Sequence, residues 1–170
     1  MEYLRATERF KQFPLQTQDS YVLPVRHGVI ADRLTGSLTL VNWQDERFIA
    51  ICELDDEQFS VVFTLLEQWP SCVPYEQLLR QLGIEPTGQD LADLEFVRMS
   101  GQMSRSRVQA KAQARTRLQP TLQKLRDLLS SSRACLNTLG IDIAAVQDHG
   151  PILIRYVEAR ALVLVEQSAG

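Results

Sequence analysis

The period of the apolar residues changes at Asp55, and this constrains the fold more than any other feature of the chain. Before it lie short β-rich runs: Gly28-Val29-Ile30, the alternating Ser37-Leu38-Thr39-Leu40-Val41, and Phe48-Ile49-Ala50-Ile51-Cys52. Thr35-Gly36 and residues 42–47 supply turn chemistry between them, so the runs read as an antiparallel meander. Residues 21–25 read as a further short strand, which Pro24 confines to an edge. After Asp55 the spacing is helical: Phe59, Val62, Phe63, Leu66 and Trp69 share a face up to a stop at Pro70. Asp55 with Gln58 three residues on forms a capping box at the start of that helix.

A second short helix is expected from about Pro74, favourable at a first helical position, through Leu78, Leu79 and Leu82 to Gly83. Residues 83–88 read as a loop, and helix-forming residues resume at Gln89 with Leu91, Leu94 and Val97 on one face. Residues 102–117 are rich in Ala, Gln and Arg, with little to bury; they read either as a long exposed helix or as one that orders on binding. Pro120 predicts that a separate amphipathic helix begins near Leu118 or Gln119 and runs to Ser130-Ser131-Ser132. Residues 133–139 read as another short element, ended by Gly140. The two-residue period then returns in Ile141-Asp142-Ile143-Ala144-Ala145-Val146 and Ile152-Leu153-Ile154-Arg155-Tyr156, a hairpin, and residues 161–165 read as a last strand. The first 20 residues read as a short helix with a strand or as a loose arm; we expect an extension packed on the domain.

Charge is distributed unevenly. The 170 residues carry 18 Lys and Arg against 21 Asp and Glu, a net charge of −3. Residues 96–126 hold Arg98, Arg105, Arg107, Lys111, Arg115, Arg117, Lys124 and Arg126 and no acid, so the rest of the chain is strongly acidic. A local cationic face on an acidic body suits a phosphate backbone, because phosphates supply most nucleic-acid affinity. It equally suits a solvated helical face without a ligand. Composition and length suit one elaborated domain, with no apolar run long enough for a membrane span and no apolar core of a signal peptide near the N-terminus. Cys52, Cys72 and Cys135 are odd in number and widely spaced, and none pairs with His27 or His149 at metal-ligand spacing. They are expected to be structural thiols in a reducing cytoplasm.

Catalysis has no signature here. Neither histidine lies beside a nucleophile motif, and there is no phosphate loop or metal spacing. The acids Asp55-Asp56-Glu57, Asp90, Asp93 and Glu95 suit helix starts without any chemical task. No catalytic residue, metal or cofactor is expected.

The order of strands, two helices, an amphipathic third helix and a hairpin describes a winged helix. Its details resemble the DNA-binding effector domain of OmpR/PhoB-type response regulators. Leu54-Asp55-Asp56-Glu57-Gln58-Phe59 through Leu65-Leu66, then Trp69-Pro70-Ser71-Cys72-Val73 and Glu76-Gln77-Leu78-Leu79, look like that family's first two helices. Arg117, Leu118, Leu122, Lys124, Leu125, Arg126 and Leu129 fall at the steps of its recognition helix, and residues 143–150 resemble its wing. The departures are Pro120 where the family has Val, Thr121 where it has His, Gln147 and Gly150-Pro151 in the wing, and a far longer connection over residues 83–116. Residues before Ser37 are too few for a receiver domain.

The resemblance implies an α+β winged helix-turn-helix with an N-terminal antiparallel meander, a long helical insertion and a C-terminal hairpin. Residues 1–36 would be the extension, 37–156 the domain with its insertion at about 83–116, and 157–170 a terminal strand and tail. The function it implies is a cytoplasmic DNA-binding transcriptional regulator, with double-stranded DNA as partner. Gln119, Thr121, Gln123, Lys124 and Arg126 would meet the major groove, and Arg105, Arg107, Lys111, Arg115 and Arg117 would track phosphates. The alternative is a non-enzymatic protein-interaction module that has kept the fold and lost sequence-specific DNA reading, its partner a protein such as RNA polymerase or another regulator. A homodimer is compatible with either. The two readings part at the insertion: a DNA binder aligns the cations of residues 105–117 with Lys124 and Arg126.

Overall fold

A computed structural model describes residues 6–15, 27–146 and 148–155. The strands expected at 21–25 and 161–165 lie outside these residues. The architecture is α+β: a four-stranded antiparallel sheet, helices, and a C-terminal pair of strands. A single turn, α1 (Ala6–Arg9), leads into β1 (Phe10–Pro14), which pairs in order with β2 (His27–Asp32), β3 (Ser37–Asn42) and β4 (Arg47–Glu53). The boundary drawn after residue 36 therefore falls within one sheet, since β2 pairs with β3 along its whole length. Arg9 and Asp32 fasten the start of β1 to the end of β2 through two hydrogen bonds of 2.8 Å.

Alternation along the strands sends one set of side chains inward. Phe13, Val29, Ala31, Leu38, Leu40 and Cys52 are buried on this face. They join one apolar cluster with Val61, Val62, Leu65 and Leu66 of α2 (Asp56–Gln68). The capping box expected at Asp55 is present: Gln58 N–H donates to Asp55 Oδ1 at 2.8 Å, and Asp55 N–H to Gln58 Oε1 at 3.1 Å. Helix α3 (Tyr75–Gln81) follows, with Pro74 at its N-cap rather than inside the first turn. Helix α4 (Gly88–Arg98) starts on a second capping box, Thr87 with Asp90. The signal for it in the sequence is the Thr-x-x-Asp spacing of Thr87 and Asp90.

The long helix corrects two expectations. Residues 105–138 form one continuous helix, α5 (Arg105–Thr138), capped by Ser104; no break occurs near Pro120, and residues 133–139 form no separate element. At ~1.5 Å per residue it spans about 50 Å. Pro120 removes one helical N–H and costs an interior helix about 3 kcal/mol. It lies on the exposed side, where the carbonyl it orphans meets water, while Leu118, Leu122 and Leu125 are buried on the opposite side and carry the apolar stripe past it. The serines expected to end the helix are absorbed by it: Ser131 and Ser132 Oγ donate to Leu128 O at 3.0 and 2.7 Å.

The hairpin of β5 (Ile141–Val146) and β6 (Gly150–Arg155) packs back on the helices. Trp69 Nε1–H donates to Leu153 O at 2.7 Å, and Val73 N–H to Pro151 O at 3.0 Å. Gly150, at φ +156°, sits so close to the Val73 carbonyl that a Cβ there would overlap it. Cysteine usage also departs from expectation. Cys52 of β4 and Cys135 of α5 form a disulfide, with Cα atoms 5.4 Å apart and 83 residues between them in sequence, leaving Cys72 as a free thiol. Both helical spacing and strand alternation deliver these two side chains to the same interface, a coincidence that linear spacing could not show. Closing a loop of this length restricts the unfolded chain by about 4.5 kcal/mol in the chain-entropy picture.

Candidate nucleic-acid interface

The ten residues expected to meet DNA all lie on α5, but the helix points them in different directions. At ~100° per residue, Arg105, Gln119, Gln123 and Arg126 fall within about 60° of one line, on the outward side. Lys124 and Arg126 point about 160° apart on the same count. The cations therefore divide between two sides of the helix, Arg105 and Arg115 with Arg126, and Arg117 with Lys124.

Packing explains where the others go. Lys111 is 5% exposed, its ammonium donating to Met99 O where α4 ends. It is a buried lysine, out of reach of a phosphate on the surface. Arg115 forms a two-pronged pair with Asp148 in the hairpin turn, Nε to Oδ1 at 2.9 Å and Nη2 to Oδ2 at 2.7 Å. Arg117 pairs in the same way with Asp93 of α4 at 3.0 and 2.8 Å. Lys124 Nζ lies 2.7 Å from Glu57 Oε2 at the start of α2. Thr121 Oγ1 donates to Asp90 Oδ1 at 3.2 Å, and Gln123 Nε2 to Asp127 Oδ1 at 2.8 Å. Gln119 and Arg105 are exposed and Arg107 is half-buried. Among the described residues, Arg105, Arg107 and Arg126 make no ion pair.

Asp93 and Asp148 lie 24 and 33 residues from their arginines in sequence, so no local pattern joins them. Asp93 is 3% exposed, and a buried carboxylate without a partner would be costly. The Arg117 hydrogen bonds hold its pKa below the usual carboxylate range, against the opposing effect of burial, with Gln89 Nε2 adding a further bond at 3.0 Å. Asp148 is lowered in the same way, first by the Arg115 hydrogen bonds. Both arginines are correspondingly raised.

Sequence reasoning included Arg98 in the basic run without giving it a role, yet it is the hub of the hairpin turn. Its guanidinium donates to both Glu76 oxygens at 2.8 and 2.7 Å, to Asp148 O at 2.9 Å and to His149 O at 3.2 Å. It thereby holds α3, the end of α4 and the β5–β6 turn together. Glu76 is lowered by those same bonds. Three arginines thus act as ties: Arg98 and Arg115 to the turn, Arg117 between α4 and α5.

Among the described residues no group of three or more His, Cys, Asp or Glu is placed to hold a metal. His27 is buried, with Arg155 Nη2 3.1 Å from its Nδ1. No described helix is long and apolar enough to cross a membrane. No protein-family model matches the chain, and no curated protein or solved structure matches it significantly.

Proposed function

We propose that this chain is a non-enzymatic protein-interaction module on a winged-helix scaffold, and that reading duplex sequence is not its task. The order of elements supports the scaffold. A four-stranded sheet is followed by a capped helix, a short second helix, the C-terminal half of α5 in the third-helix position, and a hairpin. Helix α4 and the first half of α5 then form the insertion, a helical hairpin laid against that body.

The observation that carries the functional reading is the internal engagement of the basic run. Lys111 is buried, and Arg115, Arg117 and Lys124 face Asp148, Asp93 and Glu57. A DNA-binding helix keeps its cations for phosphates, since each contact releases counterions and adds affinity. Here the same residue types fasten the insertion and the hairpin turn. The hairpin turn itself carries Asp148, whose charge opposes a phosphate.

A second reading rests on Arg105, Arg107, Gln119, Gln123 and Arg126, which make no ion pair and could still meet a duplex. Fluorescence anisotropy of labelled random and genomic duplexes separates the two. The interaction module should show no saturation in the micromolar range at physiological salt, where non-specific DNA binders begin to saturate between ~10⁻⁴ and 10⁻⁶ M. Saturable, salt-sensitive binding that disappears in the variant Arg105→Ala, Arg107→Ala, Arg126→Ala would replace it with the DNA reading.

A further inference from the structure

The sheet's outer face carries large exposed apolar side chains. Phe48 is 74% exposed, Ile51 61% and Trp43 40%. Strand register sets them beside one another: Gly28 pairs with Val41 and Val41 with Phe48, while Ile30 pairs with Thr39 and Thr39 with Ile51. The Trp43 indole lies directly over Gly28, where a Cβ would overlap the ring. That close approach fixes the indole as one wall of a groove of about 280 Å³, with Phe48, Ile30, Gln12 and Glu46 also lining it.

Charge decides what such a groove can take. Glu46 occupies the β3–β4 turn at φ +52°. Its neighbour Asp45 is engaged by Arg47 at 3.5 Å and Asn42 at 3.3 Å, but Glu46 makes no ion pair among the described residues. Among the described residues no cationic side chain lines the groove. An anionic ligand would meet a carboxylate, and a purely apolar one would desolvate that carboxylate without compensation. A long cationic side chain satisfies both parts. Its methylenes cover Ile30 and the aromatic edges while its head meets the Trp43 face and the Glu46 carboxylate.

We propose that this groove binds a lysine or arginine side chain presented by a basic segment of a partner protein. The proposal rests on the interaction-module reading and gives it a partner chemistry. The overall charge distribution agrees, because the chain outside residues 96–126 holds 10 basic against 21 acidic residues.

The test uses the full, ¹⁵N-labelled chain and an acetylated, amidated pentapeptide of alternating arginine and valine, with glutamate replacing arginine in the control. The readout is the indole N–H resonance of Trp43, identified by its loss in Trp43→Phe. The arginine peptide should shift it saturably and the glutamate peptide should not. Glu46→Gln should weaken binding about two- to five-fold, the scale of an exposed ion pair, and Trp43→Ala with Phe48→Ala, followed through the backbone amide resonances of the groove residues Gln12 and Glu46, should weaken it at least about tenfold. Equal responses to both peptides, no response to arginine, or affinity unchanged in these variants overturns the assignment. So does a concentration-dependent dimer abolished by Phe48→Asp in a chain that ignores the peptide, which would give the face to a second copy. If the peptide fails while duplex DNA also fails, the groove assignment falls and the interaction module stands; if duplex DNA binds instead, both fall.

Discussion

Removing the acids that face α5 should raise the chain's affinity for DNA. The perturbation is the triple variant Glu57→Gln, Asp93→Asn, Asp148→Asn, which leaves the side-chain shapes nearly unchanged and releases Lys124, Arg117 and Arg115 from their charged partners. These three cations have side chains 52%, 52% and 41% exposed, so each can turn to solvent once freed. Arg117 and Lys124 lie within about 20° of each other on α5 and Arg115 lies about 180° from Lys124, so one duplex gains two contacts; at ~0.9 in the slope of log K against log salt for each neutralised phosphate, the two add about 1.8. Between 0.05 and 0.2 M salt that slope corresponds to a further ~12-fold loss of affinity, easily resolved by anisotropy with a labelled duplex. Circular dichroism and a urea midpoint on the same sample show that the variant is folded. The expected result is tighter low-salt binding and a slope steeper than the native chain's by about one to two. Equal affinity and slope in the two proteins would refute the claim that these pairs withhold the cations from phosphate.

Other consequences follow from single contacts. Gly150→Ala would drive a Cβ into the Val73 carbonyl and disturb the Val73 N–H to Pro151 O bond; it should cost about 3 kcal/mol by urea denaturation. Gly88→Ala, with no atom near the added Cβ, should gain about 0.5 kcal/mol, and equal effects at the two sites would refute the packing argument. Pro120→Ala restores a helical N–H in the exposed middle of α5 and should raise stability by about 1–2 kcal/mol with an unchanged denaturant slope; a loss would mean that the proline is needed. Asp32 should contribute to acid sensitivity. The Arg9 guanidinium holds its carboxyl at about 2, below the ordinary 3.8. With the folded value depressed, this contribution is complete above about pH 4 and is lost as pH falls toward 2. Asp32→Asn should flatten that part of the stability profile, and an unchanged acid limb would exclude the pair as its cause.

Much of the local structure was legible because local forces set it. The Asp55–Gln58 capping box, the stop before Pro70 and the alternation of residues 37–41 each depend on neighbours within a few positions. They appear where expected. Helix α5 shows the limit of that reasoning. Pro120 is a sound local breaker, but a buried stripe continuing on both sides outweighs one missing hydrogen bond, and only the packed body shows which side of the helix faces water.

The candidate interface was less legible than the fold. The run of cations in residues 96–126 is a fact of the sequence, as is the acidity of the rest. Which carboxylate meets which cation depends on separations of 24 residues for Arg117 and Asp93 and 33 for Arg115 and Asp148. The Cys52–Cys135 bond, across 83 residues, is of the same kind. By itself the sequence determined the strand class of residues 28–30, 37–41 and 48–52, the helix that starts after Asp55, and the two hydrophobic periods, because these follow from backbone geometry and near neighbours. Only the tertiary structure decided that Lys111 is buried, that four of the cations serve as partners for acids, and that Trp43 lies over Gly28. Those outcomes come from burial, which makes an unpaired charge costly and so selects partners from whatever the fold brings within reach.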